Sequence, residues 1–273
     1  WLDDGFYANQ WGLNFTASGA LINFGNDAGV QNLQNNAVTY EWWVKNDGIN
    51  WTQGFFNKGV NGIDLEYRVN EWGWLFSLPC TTTNATTKAI TGRTDNDLWS
   101  GNWIHVAATY DNNGDRKIHI YVNGVELSYS INTACVGSVK DDSASNLTMA
   151  VANPAGQYGW PTNGTVGWSR ISNTIRYTST FTPVILPPVV DGNTIGQWNV
   201  SEGTGITLDN IQGNAALDGT ITGGTWEQQP WRLENSLVNA TSLTKAQAIY
   251  GQSESGGGSK WTNTSINQGI YQD

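Results

Sequence analysis

A strict alternation of apolar and polar residues dominates the middle of the chain and predicts a β-hairpin. The alternation runs from Trp103 to Tyr110 and returns from residue 117 to residue 122, where Ile118, Ile120 and Val122 are expected on one face and Lys117, His119 and Tyr121 on the other. Residues 111–115, with the sequence DNNGD, supply Asn and Gly where a turn needs positive φ, and Asn123-Gly124 predicts a second tight turn. The chain is therefore expected to be built from antiparallel strands.

The two strands also carry a family motif. The runs WIHVAATYD (residues 103–111) and IYVNGV (residues 120–125) resemble the central hairpin of concanavalin A-like, or laminin-G-like, jelly-roll domains. Four more segments extend the resemblance: residues 19–24, 38–45, 55–59 and 164–172. It implies an all-β, two-sheet antiparallel jelly-roll sandwich. This fold hosts lectins, adhesion modules, hydrolases and virion proteins, so it does not by itself select a function.

Composition and charge exclude some partners. Thirty-two Gly and 15 Trp, with only 13 Lys and Arg, are typical of a turn-rich β-protein. A net charge of −10 argues against nucleic acid, whose phosphates need clustered basic residues. No apolar run is long enough for membrane insertion. Because the chain begins at Trp1 rather than Met, we expect it to be processed or excised from a longer polypeptide.

The domain organisation follows from a displaced segment. Residues 191–226 resemble the stretch that opens this family's domains, yet they follow its late strand. They begin a second domain or complete the first in permuted order. Because too few residues remain for another sandwich, we predict one sandwich over residues 1–226, completed by 191–226. Residues 227–273 are predicted to form a short C-terminal arm, either a partner-docking arm or a disordered end.

Cys80 and Cys135 flank the central hairpin in a chain of extracellular character. If their strands are neighbours, a disulfide closes a long loop and constrains the unfolded chain. The alternative is a pair of buried free thiols. We predict the disulfide.

The hydrolase interpretation needs paired carboxylates, and the chain departs from the pattern. Family members that cleave β-glucans carry an E-x-D-x-E strand, and the nearest match here is residues 62–66, GIDLE, with Gly62 in the nucleophile position. Arg68 falls on the same face as Asp64 and Glu66, and we expect an ion pair with Glu66. The resemblance implies that His105 is a core histidine packed between the sheets. We therefore predict that the chain is not an enzyme.

Calcium is the one metal that the sequence suggests. Many domains of this fold hold Ca²⁺ at one rim through loop carboxylates and carbonyls. The candidate ligands are Asp27, Asp141 and Asp142. Acidic residues are also common in ordinary turns, so both interpretations stay open and no cofactor is certain.

The surplus of tryptophan suggests a binding surface. Trp42 or Trp43, Trp103 and Trp168 are expected in the core from their strand positions. Four other aromatic residues fall in turn-like contexts rich in Asn, Gln and Gly: Trp51, Trp99, Tyr158 and Trp160. Such rings stack on sugars while neighbouring polar groups bind the hydroxyls. Packing at the ends of the sandwich and burial at a subunit contact are the alternatives.

Two functions from different classes fit these observations. One is a non-catalytic β-sandwich module that binds a cell-surface glycan in adhesion. The other is a structural subunit of a surface filament, fibre or virion decoration that contacts neighbouring subunits through its C-terminal arm. The segment RYTSTFTP, residues 176–183, resembles laminin-G-like domains of phage and microbial surface proteins. That resemblance implies an extracellular, cell-surface or virion location.

Overall fold

The computed structural model describes residues 11–48, 52–68, 73–81, 86–91, 101–152 and 160–229. Contacts divide the chain into two units, one spanning Trp11–Glu227 and the other made of residues 1–10 and 228–273. Apart from the last residue of the final strand, the β-strands described below belong to the first of these units. Most of the predicted C-terminal arm lies outside the described residues, so the arm and the boundary at residue 226 stay predictions. No helix in the described part of the chain is long and apolar enough to cross a membrane.

Within these ranges the chain forms short strands and three 3₁₀ turns. In chain order the strands are Trp11–Phe15 (β1), Leu21–Asn23 (β2), Ala37–Asn46 (β3), Gln53–Asn57 (β4), Asp64–Arg68 (β5), Gly73–Pro79 (β6), Thr86–Thr91 (β7), Trp103–Asp111 (β8), Ile118–Val122 (β9), Val125–Glu126 (β10), Tyr129–Asn132 (β11), Thr148–Met149 (β12), Val151–Ala152 (β13), Trp160–Pro161 (β14), Gly164–Ser172 (β15), Thr194–Trp198 (β16), Thr207–Leu208 (β17), Gly219–Thr222 (β18) and Thr225–Gln228 (β19). The 3₁₀ turns are Ala28–Val30, Leu33–Asn35 and Ala215–Leu217.

Two antiparallel sheets stack into a sandwich, as predicted. The first sheet has the order β10-β9-β8-β3-β15-β1-β19, and β16 also pairs with β15. The second has the order β11-β7-β6-β5-β4-β12-β2-β18-β17, and β13 and β14 form a separate two-stranded ladder. The prediction of an all-β, two-sheet jelly roll is therefore confirmed.

The core lies between the two sheets and follows the alternation read from the sequence. The first sheet contributes inward-facing residues from both strands of the hairpin: Ile104, Val106, Ala108, Tyr110, Ile118, Ile120 and Val122. Each large apolar side chain removed from water stabilises the fold by about 1.5–3 kcal/mol. Trp42 packs in the same core, with its ring centroid 5.2 Å from that of Phe55 in the second sheet.

The turns of the hairpin agree with the prediction in one case and differ in the other. Asn123 and Gly124 have φ of 48° and 79°, as a tight turn requires. In the preceding loop, however, the residue with positive φ is Arg116, at 60°. Gly114 serves a different purpose, because a Cβ there would lie 2.8 Å from Oδ2 of Asp111. The loop needs that glycine for space rather than for its backbone freedom.

A disulfide joins Cys80 and Cys135, as predicted, with Cα atoms 5.9 Å apart. It connects the residue after β6 to the segment after β11. The sequence separation of 55 residues makes this a long loop. Closing this loop lowers the conformational entropy of the unfolded chain, which stabilises the fold by about 4 kcal/mol at 25 °C.

Residues beyond 190 contribute strands to both sheets. β16 pairs with β15 in the first sheet, whereas β18 pairs with β2 in the second. The indole of Trp198 is buried and donates a hydrogen bond to the carbonyl of Leu217 at 2.9 Å. This part of the chain therefore packs into the same sandwich core.

Residues 173–190, here called the covering segment, lie across the outer face of the first sheet. The indoles of Trp43 and Trp168 donate hydrogen bonds to the carbonyls of Val184 and Ile185, at 3.0 and 2.9 Å. At the other end of the segment, the amide of Phe181 donates to the carbonyl of Gly124. The segment contains no β-strand, so these individual hydrogen bonds, and not strand pairing, attach it to the sheet.

The covering segment corrects the predicted positions of several residues. Trp43, His105 and Trp168 are buried, but on the face of the first sheet opposite the core. The expectation that His105 packs between the sheets is therefore wrong, and the same holds for Trp168. Strand alternation identifies which residues share a face, but it does not reveal that the outer face is also covered. Trp103, on that face too, is only partly buried.

Candidate functional site

A cavity of about 340 Å³ opens at the edge of the first sheet, where the central hairpin meets the covering segment. It is lined by residues of the hairpin and its loop, together with three residues of the covering segment: Thr109, Asp111, Gly114, Asp115, His119, Tyr121, Glu126, Ile175, Tyr177 and Thr178. The register explains why they meet. Thr109 of β8 pairs with His119 of β9, so both project from the outer face of the sheet.

His119 is held between two carboxylates at the mouth of this cavity. Its Nδ1 lies 2.7 Å from Oε1 of Glu126, and its Nε2 lies 2.9 Å from Oδ2 of Asp115. Burial acts to lower the pKa of His119, but the hydrogen bonds and charges of Glu126 and Asp115 outweigh it and raise the pKa. The ring is about one-third exposed, as expected for the outward-facing position predicted from the alternation.

The deeper wall of the cavity is aromatic and fixed by hydrogen bonds. The Tyr121 hydroxyl donates to the carbonyl of Tyr177 at 3.3 Å, and the ring of Tyr177 stacks on Phe181 with centroids 3.6 Å apart. Burial raises the pKa of Tyr121 to about 12, so this phenol stays protonated near neutral pH. The wall thus consists of apolar ring surface, and the hydroxyl of Tyr121 donates its hydrogen bond within the protein.

Behind Tyr177, a buried charge network anchors the covering segment to the sheet. Oε1 of Glu41 accepts a hydrogen bond of 2.6 Å from Nε of Arg170, and its Oε2 accepts one of 2.6 Å from the Tyr177 hydroxyl. Nε2 of His105 lies 3.3 Å from the same Oε2. Burial would raise the pKa of Glu41, but His105, Arg170 and Tyr177 together lower it. The carboxylate is therefore ionised and fully paired.

The sequence did not identify this cavity. Its residues come from a strand, a loop, the hairpin partner and a segment about sixty positions away, and each is unremarkable within its own element. The one available indication was the outward face of β9, which carries His119 and Tyr121 opposite a core face.

The four aromatic residues predicted to bind ligand are not assembled by the described structure. Trp51, Trp99 and Tyr158 lie outside the described residues. Trp160 begins the two-residue strand β14, paired with Ala152, rather than a turn. The binding role of these four residues stays a prediction.

The carboxylates considered for catalysis occupy the expected strand but lack the expected arrangement. A Cβ at Gly62 would lie 2.5 Å from Cβ of Lys58, so this position has no room for a nucleophilic Glu. Nε of Arg68 lies 2.5 Å from Oε1 of Glu66, the ion pair that the sequence suggested. Burial raises the pKa of Asp64, against an opposing hydrogen bond from Asn57.

The predicted calcium ligands lie near a buried lysine. Lys58 is 1% exposed, and its Nζ donates to Oδ1 of Asn26 at 2.8 Å and to the carbonyl of Ser145. The same Nζ lies 3.9 Å from Oδ1 of Asp142, which is also buried. Burial lowers the pKa of Lys58, whereas the charge of Asp142 opposes that shift. An ammonium group therefore lies among these oxygens.

The other two candidate ligands have local partners. Asp27 accepts hydrogen bonds from the amide of Gly29 and the side chain of Asn214, at 2.8 and 3.1 Å. Asp141 accepts from the side chain of Asn32 at 3.0 Å. Within the described ranges, no group of three or more His, Cys, Asp or Glu is arranged to hold a metal ion. Calcium binding stays a prediction, and Lys58 would compete for the oxygens around Asp142.

Comparison with known proteins agrees with the architecture. A laminin-G family model, described as the concanavalin A-like lectin/glucanases superfamily, matches residues 19–177, more than half of the chain. No curated protein sequence matches.

Solved structures resemble the fold at low sequence identity. A proposed carbohydrate-binding protein from Bacteroides ovatus aligns with a TM-score of 0.58 and 16% identity over 81% of this chain. The alignment spans 60% of that protein's length. The CBM40 module of the Ruminococcus gnavus IT-sialidase aligns with a TM-score of 0.42 and 13% identity, over 60% of this chain and 90% of the module. At these identities the likeness concerns the fold alone.

Proposed function

Because the chain belongs to the concanavalin A-like lectin/glucanase superfamily, we propose that it is a non-catalytic carbohydrate-binding module. The observation that carries this proposal is the cavity beside the central hairpin. Its wall joins the ring surfaces of Tyr121 and Tyr177 to carboxylate and hydroxyl groups, and sugars require this combination of apolar and hydrogen-bonding surface. The fold likeness to a proposed carbohydrate-binding protein supports the same class.

The absence of catalysis is part of the proposal. Glycoside hydrolysis needs two carboxylates on either side of the scissile bond. Position 62 has no space for the first of them, and Glu66 is paired with Arg68. The hydrolase pattern of the family is therefore broken at the residue that would form the covalent intermediate.

A second surface remains a candidate for glycan contact. The aromatic residues Trp51, Trp99, Tyr158 and Trp160 are proposed to contribute stacking, as their sequence contexts suggest. The cavity and this aromatic set can be tested by separate substitutions.

The location and partners follow from the same function. A disulfide in a glycan-binding module suits a secreted or surface-exposed protein, so we propose a cell-surface glycan as the partner. The adhesion role and the virion location belong to this proposal. The alternative, assembly through residues 227–273, depends on residues that lie largely outside the described ranges.

A glycan array with the purified chain tests the proposal. We expect retention of at least one glycan class, and Thr109→Val to weaken it, because that change removes a hydroxyl from the cavity and nearly keeps the side-chain volume. Trp160→Ala should weaken binding only if the aromatic set contributes, by about 1–3 kcal/mol for a central aromatic anchor. Retention of no glycan would refute the proposed function. Size-exclusion light scattering on the same sample would detect assembly.

A further inference from the structure

The cavity is strongly acidic for its size. Three of its ten lining residues are carboxylates, Asp111, Asp115 and Glu126, and none is Lys or Arg. Among the described lining residues, His119 is the only basic group, and it bridges Asp115 and Glu126. With His119 protonated, three negative charges and one positive charge leave a net charge of −2. A ligand that enters this cavity meets a negative potential that water only partly screens.

Several acceptors in the cavity remain available to a ligand. Oδ1 of Asp111 accepts from the amide of Asn113 at 2.9 Å, but Asp111 has no ion pair with a basic residue among the described residues. Oε1 of Glu126 serves His119 and the Tyr129 hydroxyl, while its Oε2 has no protein partner in the described ranges. The two carboxylates therefore each keep an oxygen that can bind a donor.

The hydroxyl of a buried threonine gives independent support for a ligand site. Thr109 is only 2% exposed, lines the cavity, and has no hydrogen bond from its hydroxyl among the described residues. Although the residue is buried, its hydroxyl is not fully enclosed, and it opens into the cavity. A ligand hydroxyl or amine in the cavity would supply the missing partner.

We propose that this cavity binds an oligosaccharide carrying free amino groups, with separate ammonium groups beside the carboxylates of Asp111 and Glu126 and a ring hydroxyl on Thr109. The inference rests on the carbohydrate-binding function proposed above and narrows it to one class of sugar. Ammonium-to-carboxylate hydrogen bonds are stronger than neutral ones, whereas a carboxylated sugar would meet like charges. The rings of Tyr121 and Tyr177 and the side chain of Ile175 offer apolar surface to the sugar carbons.

Titration calorimetry with the full chain at pH 6 tests the proposal. The probes are a fully deacetylated glucosamine tetramer, its N-acetylated counterpart, sialyllactose and spermidine. We expect the deacetylated tetramer to bind roughly tenfold or more tightly than the N-acetylated one, because acetylation removes the charge. Sialyllactose should not bind measurably, and spermidine should bind more weakly than the tetramer because it has no ring or hydroxyl groups.

Three variants assign the effect to the cavity. Asp111→Asn and Glu126→Gln should each weaken binding of the deacetylated tetramer roughly tenfold. Asp47→Asn is the matched control. It removes one exposed carboxylate from the far end of β3, roughly 30 Å from the end that pairs with Asp111. The control should bind like the parent chain, and the circular dichroism spectra of all three variants should coincide.

Three results would overturn the inference while leaving the carbohydrate-binding function intact. These are equal affinity for the acetylated and deacetylated tetramers, preference for sialyllactose, and a loss in Asp47→Asn as large as in Asp111→Asn. Equal affinity for spermidine would show that the cavity selects charge alone and would also overturn it. Binding of no glycan here or on the array would reject both proposals.

Discussion

Replacing Glu41 by Gln should destabilise the fold far more than removing an exposed carboxylate that also pairs with a residue of the covering segment. Glu41 is fully buried and Arg170 is 6% exposed, so the substitution leaves a guanidinium inside the protein without a counter-charge. Breaking a buried pair in this way costs about 3–5 kcal/mol. For a unit of this size, each kcal/mol lowers Tm by roughly 2–4 °C, so the expected fall in Tm is about 10 °C.

The control is Asp191→Asn. Asp191 pairs with Arg176, with the two atoms of the ion pair 2.8 Å apart, but its carboxylate is 46% exposed. Because the pair is bidentate, we expect it to lie at the upper end of the roughly 0.2–1 kcal/mol that exposed pairs contribute. Urea denaturation followed by tryptophan fluorescence measures both variants on one scale. The reasoning would be refuted if Glu41→Gln and Asp191→Asn lost the same stability within error.

A double variant tests whether the cost comes from the unpaired charge. In Glu41→Gln/Arg170→Met both charges are gone. The double variant should therefore lose less stability than the sum of the two single variants, by roughly 1–3 kcal/mol of coupling. If the losses of stability in the two single variants add up to that of the double variant, the cost comes from changed side-chain shape rather than from the unpaired charge.

Four further outcomes are expected. The intact mass of the chain should increase by two hydrogens on reduction, and two freely alkylated thiols in the unreduced chain would contradict the disulfide. The double variant Cys80→Ser/Cys135→Ser should have a free energy of unfolding about 4 kcal/mol lower than the parent chain. The pKa of Glu41 is lower in the folded state than its ordinary 4.5, so the ionised carboxylate stabilises the fold fully above pH 4.5 and less as the pH falls towards the folded pKa. In Glu41→Gln, the free energy of unfolding should therefore fall less steeply with decreasing pH in this range. Lys58→Ala should destabilise the fold by leaving the charge of Asp142 without a counter-charge, and millimolar Ca²⁺ should raise the Tm of this variant more than that of the parent chain. A panel of β-glucans should show no turnover, and turnover that disappears in Glu66→Gln would overturn the non-catalytic proposal.

Local pattern predicted the hairpin and the family resemblance implied the sandwich, but neither revealed the segment that covers the outer face. The hairpin was predictable because period-two alternation, as in Ile118 and Ile120 against His119 and Tyr121, reports directly which residues share a face. The covering segment has no such period. It is held by side-chain bonds such as that from the Trp43 indole to the carbonyl of Val184, 141 positions away. The resemblance placed His105 between the sheets, and no local pattern showed that the outer face also buries side chains.

The cavity was missed because it depends on the covering segment. Asp111 and His119 are close in sequence and on the same hairpin, but without Tyr177 they form only an exposed acidic loop. Nothing in the segment RYTSTFTP indicates that its tyrosine closes a cavity wall. The feature that makes the site concave is thus a long-range contact, which single-sequence patterns do not encode.

The buried network and the cavity share one residue, and this links stability to binding. Tyr177 donates its hydroxyl to Glu41 on one side and contributes its ring to the cavity on the other. Its ring is also fixed by stacking on Phe181, while the backbone of Phe181 is bonded to Gly124 at the turn of the hairpin. A Cβ at Gly124 would lie 1.8 Å from the carbonyl oxygen of Phe181, so the turn glycine permits this close approach.

The wall is therefore positioned before any ligand arrives, and the entropy of ordering it is lost on folding rather than on binding. The carboxylates at the mouth are fixed in the same way. Asp115 and Glu126 hold His119 between them, and Glu126 also accepts from the Tyr129 hydroxyl. A rigid, negatively charged cavity favours ligands whose donors match its acceptors without rearrangement and disfavours ligands that would have to move the covering segment. Selectivity at this site thus depends on the contacts that keep the covering segment on the outer face of the first sheet.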